Sequence, residues 1–107
     1  MGRVFVAGSI NMDVVATADR HPQVGETVAG KAVLYFPGGK GANQSVAAAK
    51  LGASATLIGR LGTDTFGQEL RTFLAAQGID LALVKDTAEA HTGTALITIA
   101  NADNTIV

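Results

Sequence analysis

Gly38-Gly39-Lys40-Gly41-Ala42-Asn43 is the stretch whose reading decides the fold of this chain. Three glycines in four positions let the backbone take positive φ and approach another molecule closely, because no Cβ stands in the way. A helix is predicted from Ala42, where Ala-Asn-Gln-Ser-Val-Ala-Ala-Ala-Lys-Leu-Gly is rich in the strongest helix former. Lys50 falls in its last turn and Gly52 is placed as a left-handed stop. A glycine loop feeding a helix start predicts unpaired N–H groups and the positive end of the helix dipole facing outward, with Lys40 beside them. Such an end favours oxygen-rich ligands, either anions or polyols.

Two better-known glycine loops do not fit. The ATP-binding P-loop needs a glycine, four spacers and Gly-Lys-Ser/Thr, but Leu34 stands at the first position and Gly41 follows the lysine. The dinucleotide pattern G-x-G-x-x-G, begun at Gly39, meets Gln44 in place of its third glycine. The competing reading is a tight turn whose glycines serve only to start the helix.

Composition narrows the classes. At 107 residues the chain is one domain or a piece of one. It is 48% hydrophobic and 16% charged, enough for a core, although a globule of this size buries only about 60 to 70% of its unfolded surface. A net charge of −1 without a basic run argues against nucleic acid or a membrane surface as partner. With no cysteine there is neither a disulfide framework nor a thiolate metal site. The opening residues have too short an apolar run for a signal-peptide core, and the expected location is the cytoplasm.

Outward from the glycine loop, Val4 to Ala7 is an apolar run expected to form a strand buried on both faces of a parallel sheet. The next run, Ile10 to Thr17, partly alternates, placing Asn11 and Asp13 on one face and Ile10, Met12 and Val14 on the other. Two polar groups thus follow the carboxyl end of the first strand, where open α/β sheets bind ligands. Residues 18–27 read as a loop, and Val28 to Phe36 as a β excursion delivering the chain to Pro37. Ala55 to Gly59 is a second core strand, so strand, helix and strand make a parallel crossover. Phe66, Leu70, Phe73 and Leu74 form one apolar helix face, with Asp64 as cap and Gly78 as stop. A third strand is expected at Leu81 to Val84, a loop at Lys85 to His91, a strand at Thr94 to Ala100, a turn at Asn101 to Asn104, and a further strand from Thr105. A chain ending on apolar β-branched residues one or two steps into a strand would leave ladder groups unpaired. Two helices are also too few to cover both faces of a parallel sheet. Both features predict the N-terminal portion of a longer protein.

Taken together, Gly-Ser-Ile-Asn-Met-Asp at 8–13, Pro-Gln-Val-Gly-Glu-Thr at 22–27, Gly-Gly-Lys-Gly-Ala-Asn-Gln at 38–44, then Gly52 and Gly62, resemble the ribokinase-like (PfkB) carbohydrate kinase family over the whole chain, and within it the ribokinase branch. The resemblance implies part of an α/β three-layer sandwich, a parallel sheet with helices, plus a small β lid from about 14–17, 28–36 and 94–107. The sugar would lie between the two. Carried over by position, the substrate-binding residues are Asn11, Met12 and Asp13 on one side and Gly39, Lys40, Gly41, Ala42 and Asn43 on the other. The implied activity is ATP-dependent phosphorylation of a sugar hydroxyl, with ribose the first expectation and a homodimer formed through the lid. ATP and Mg2+ would be held mainly by residues beyond Val107, with a monovalent cation as a further candidate.

The chemistry of the residues agrees. A carboxylate takes hydroxyl protons, an amide both gives and takes, and hydrogen bonds to a charged group contribute about 1.5 to 3 kcal/mol each. The family's catalytic Asp-Thr-x-Gly-Ala-Gly-Asp segment has only a decoy here, since Asp64-Thr65-Phe66-Gly67 continues Gln-Glu-Leu. No catalytic base is assigned, and this portion alone is expected to be inactive. The alternatives are a fructose-type or nucleoside kinase of the same family, or a non-catalytic sugar-binding or dimerisation module. His21 and His91 have no partners at metal-ligand spacing, and no metal site is assigned to them. Glu26 follows the family's pattern without an evident chemical role.

Overall fold

A computed structural model describes residues 2–107. In chain order its elements are β1 (Arg3–Ala7), β2 (Asn11–Ala18), β3 (Gly30–Gly38), α1 (Lys40–Lys50), β4 (Ser54–Gly62), α2 (Thr65–Ala76), β5 (Asp80–Thr87), β6 (Gly93–Ala100) and β7 (Asp103–Ile106). They form two units, one running to residue 12 and resuming over 37–93, the other made of 13–36 and 94–107.

The first unit is a parallel sheet of order β1-β4-β5. α1 packs on β1 and β4, and α2 on β4 and β5. Val6, Ala55, Leu57, Leu61 and Val84 point into the layer between sheet and helices, where Ala42, Leu70 and Leu74 meet them. Truncating one of the buried leucines to alanine would cost about 2 to 5 kcal/mol. α1 buries Gly41, Ala42 and Ser45, residues small enough to bring the helix axis near the sheet. The Ser45 hydroxyl donates to the Gly41 carbonyl at 2.9 Å, so this buried polar group is satisfied within its own helix. Gly52 and Gly78 end the two helices at φ 93° and 81°, the left-handed stops the spacing predicts.

Three expectations are corrected here. β1 is not buried on both faces, since Phe5 is 58% exposed and only Val6 is buried. Both crossovers step across the sheet in the same direction, and right-handed connections then put both helices on one face. Phe5, Ile58 and Leu83 on the other face stay open. α1 begins at Lys40 rather than Ala42, which places Lys40 and Gly41 in the first helical turn. β5 runs on to Thr87 through residues expected as loop. The Arg71 guanidinium accounts for part of this, donating to the Val84 carbonyl at 2.9 Å and the Asp86 carboxylate at 2.8 Å.

The second unit is a sheet of order β3-β2-β6-β7. β3, which contains Pro37, lies at an edge, where strands tolerate proline. β6 and β7 are an antiparallel hairpin with Ala100 opposite Asp103. Its two-residue turn has Asn101 at φ 54° and Ala102 at φ 59°, the paired left-handed conformation that suits the twist of a tight hairpin. Leu96 and Val107 exchange both backbone hydrogen bonds, at 2.8 and 2.9 Å, while β7 stands at the edge of the sheet with Ile106 exposed, the open apolar edge the sequence predicts. In the loop before β3, Arg20 grips Glu26 at 2.6 and 2.8 Å, and Glu26 also accepts from the Gln23 N–H at 3.1 Å. Glu26 is thus a loop staple. No helix among the described residues is long and apolar enough to cross a membrane.

Candidate functional site

The start of α1 sits directly on the turn that follows β1. Gly39 adopts φ 99°, and a Cβ there would lie 2.5 Å from the Ser9 carbonyl oxygen and 2.8 Å from Ile10 Cα. A Cβ on Gly41 would lie 2.6 Å from the Gly8 carbonyl carbon. The close approach that the glycines permit is therefore to the chain's own backbone. Ser9 then satisfies the helix start. The Lys40 N–H donates to Ser9 Oγ at 3.0 Å and the Ala42 N–H to the Ser9 carbonyl at 3.1 Å, while the Asn43 N–H bonds Gly39 at 2.9 Å.

This corrects the expected recognition chemistry. These amides are occupied rather than bare, so an anion cradle made of them is not what the helix presents. Polar side chains also line this junction. Lys40 and Asn43 are exposed in the first turn, and Asn11 is half-buried at the head of β2. Ile10, whose Cα lies against Gly39, immediately precedes Asn11. The structure thus brings the helix start to within one residue of Asn11. Gly41 and Ala42 are buried, and Met12 is only 3% exposed, so these three shape the region rather than offering polar atoms. Asp13, half-buried, is the first residue of the second unit.

A second cluster in the first unit was not legible in the sequence. Asp64, the N-cap of α2, accepts from the Gly67 N–H through Oδ1 at 2.9 Å and from the Thr92 N–H through Oδ2 at 2.8 Å. The Thr92 hydroxyl accepts from the Gly62 N–H at 3.0 Å. His91 completes the group, its Nδ1 2.9 Å from the Thr92 carbonyl and its Nε2 3.6 Å from Asp64 Oδ2, with its ring edge-on to Phe66. The Thr92 N–H above all, helped by the Gly67 N–H, holds the Asp64 carboxyl down from 3.8 to about 2. With both oxygens engaged, Asp64 is the cap the sequence predicts and a clasp besides.

Among the described residues no three His, Cys, Asp or Glu side chains converge to hold a metal ion, so Mg2+ finds no ready-made ligand set on them. A groove of about 510 Å³ in the second unit is lined by Ala16, Pro22, Val28, Lys31, Val33 and Thr98 among others. It includes none of the predicted sugar contacts and has mostly apolar walls, ill suited to a polyol.

Comparison with known proteins points one way. The model of the pfkB family of carbohydrate kinases matches residues 1–107. The chain is 43% identical over 107 residues to the ribokinase of Bacillus subtilis, covering all of this chain and 36% of that protein. It is 40% identical over 103 residues to that of Haemophilus influenzae, covering 95% of this chain and 34% of that one. Among solved structures, Arabidopsis thaliana ribokinase complexed with ribose and ATP superposes with a TM-score of 0.91 at 33% identity, over 98% of this chain and 35% of that one. Ribokinase of Cryptococcus neoformans in complex with ADP gives 0.86 at 32%, over all of this chain and 34% of that one. The chain spans about a third of the length of the relatives it matches.

Proposed function

We propose, from the premise that this chain belongs to the pfkB family of carbohydrate kinases, that it is the sugar-binding part of an ATP-dependent kinase that phosphorylates a ribose hydroxyl. The observation carrying this reading is the seating of the α1 start on Gly8, Ser9 and Ile10, immediately before Asn11. On this reading the amide of Asn11, the ammonium of Lys40 and the amide of Asn43 face the sugar, groups that between them donate to and accept from hydroxyls. Asp13, two residues further along β2, is assigned to sugar hydroxyls as their charged acceptor, and Met12, Gly39, Gly41 and Ala42 to the wall of the site. Ribose is favoured by the identity of the relatives, and ATP as phosphoryl donor by the nucleotides bound to two of them. Phosphoryl transfer depends on positioning and on stabilising charge around the transferred group. The residues described here supply sugar positioning, and the proton acceptor is assigned outside them. A cytoplasmic enzyme that dimerises through its second unit completes the proposal.

The test is the sugar dependence of the whole protein. Ribose, fructose and a nucleoside are compared as acceptors with ATP, and the reading expects ribose to have the highest kcat/KM. Asp13→Ala should raise the KM for ribose by about ten- to a hundredfold, the loss of a hydrogen bond to a charged group worth about 1.5 to 3 kcal/mol. An unchanged KM would remove Asp13 from the site. Absence of transfer to all three acceptors would favour the non-catalytic module.

A further inference from the structure

We propose that Gly93, held in place by the clasp between Asp64 and Thr92, is a positioning residue for Asn11 and so sets the affinity for sugar; this rests on the assignment of Asn11 to sugar binding. All four residues lie in the first unit. A Cβ built on Gly93 would stand 3.3 Å from Asn11 Cβ and 3.5 Å from the Ile10 carbonyl oxygen. The bare backbone of Gly93 is therefore a wall against which Asn11 leaves β2. An amide is aimed by its Cα–Cβ bond, so a few tenths of an ångström at Asn11 Cβ become a larger displacement at the atoms that would meet a hydroxyl.

What fixes the wall is Thr92. It is buried, its N–H goes to Asp64 Oδ2 at 2.8 Å, and its hydroxyl receives the Gly62 N–H at 3.0 Å. The end of β4, the start of α2 and the start of β6 thus meet on the residue preceding Gly93. Capping α2 needs only one carboxylate oxygen, and the Gly67 N–H takes Oδ1. The second oxygen reaches 28 residues along the chain to Thr92, a contact that the helix alone does not require. His91 adds a further tie, its Nδ1 lying 2.9 Å from the Thr92 carbonyl.

Two substitutions disturb the wall by different routes. Gly93→Ala places a methyl group against Asn11 Cβ. Asp64→Asn keeps an oxygen for the cap but turns an amide N–H2 toward the Thr92 N–H, donor against donor. Steady-state kinetics of the whole protein, with ribose and ATP varied in turn, are compared for these two and for Asn11→Ala, alongside melting temperatures. Each of the two should raise the KM for ribose about tenfold while the KM for ATP stays within about twofold, the signature of a misplaced substrate contact. If Asn11→Ala raises the ribose KM and neither Gly93→Ala nor Asp64→Asn does, the proposal is overturned and the assignment of Asn11 stands. If Asn11→Ala leaves the ribose KM unchanged, the assignment falls and the proposal with it. Parallel losses in both KM values and in kcat, tracking the melting temperature, would show a purely structural role and also overturn it. Should one variant fail to fold, the other still decides, because the routes are independent.

Discussion

The two helices of the first unit begin in opposite ways. α2 starts on Asp64, which folds its own carboxylate back onto the Gly67 N–H three residues on. α1 starts on Gly39, which has no side chain to offer, and two of its first amides are met by Ser9, about thirty residues earlier in the chain. The first cap is local, closed between residues three apart in the chain. The second exists only once β1 and α1 have come together, so forming the helix and fixing the residues before Asn11 are one event. If sugar binds at that junction as proposed, its contacts there are pre-positioned by the packing, at the cost of tolerating almost no volume at Gly39 and Gly41.

The sharpest way to break this contrast is Gly39→Ala. Its methyl group would overlap the Ser9 carbonyl and Ile10 Cα in a backbone conformation that side chains avoid. Destabilisation of about 2 to 5 kcal/mol is expected from strain and overpacking together. Gly78→Ala is the control, since φ there is also positive, at 81°, but nothing lies within 4 Å of the added carbon; it should cost only about 1 to 2 kcal/mol. Urea melts of the whole protein measure both, and equal costs would show that close approach to Ser9 is not what Gly39 supplies.

Asp64→Ala comes next, because two N–H groups, those of Gly67 and Thr92, lose their acceptor at once. It also has a pH signature with a definite sign. The folded-state pKa, about 2, lies below the roughly 3.9 of an unfolded aspartate. The carboxylate therefore contributes its full stability above about pH 4 and loses it as the pH falls towards 2. Melting temperatures followed from pH 6 down to 2 should fall less steeply for the alanine variant over that window. Part of the slope remains, since Arg20 likewise holds Glu26 below the ordinary carboxylate range. An unaltered slope would mean that the clasp is not formed in solution.

The same contrast explains what could be read from the sequence. Local devices were legible: the Asp64 cap, the Gly52 and Gly78 stops, the apolar face of α2 and the centres of the strands, though not the far end of β5, all follow from residues within a few places of each other. The family, too, was legible, because its spaced glycines and polar pairs lie in short runs. Coverage was not. An apolar run such as Val4 to Ala7 records that it suits a sheet, but not how many of its faces are covered, and Phe5 stays open. Nor was Ser9 legible as the cap of α1, for the glycine loop looked the same whether its amides faced a ligand or a serine. The clasp at Thr92 lay beyond reach for that reason as well, since nothing near Thr92 in sequence marks Asp64 as its partner.

The mildest test sharpens the comparison from the other side. Ser9→Ala removes one acceptor from the Lys40 N–H but leaves the Ser9 carbonyl to the Ala42 N–H. Because the hydroxyl bond is exposed, water can replace it, and a loss of only about 0.5 to 1 kcal/mol is expected. Its value lies in the direction of the functional change. If Ser9 seats α1 for sugar binding, loosening it should raise the KM for ribose, since Lys40 and Asn43 are carried on the turn it holds. If the Lys40 N–H would instead serve a ligand once released, the KM should fall, and the idea of a helix start given over to its own scaffold would have to be abandoned.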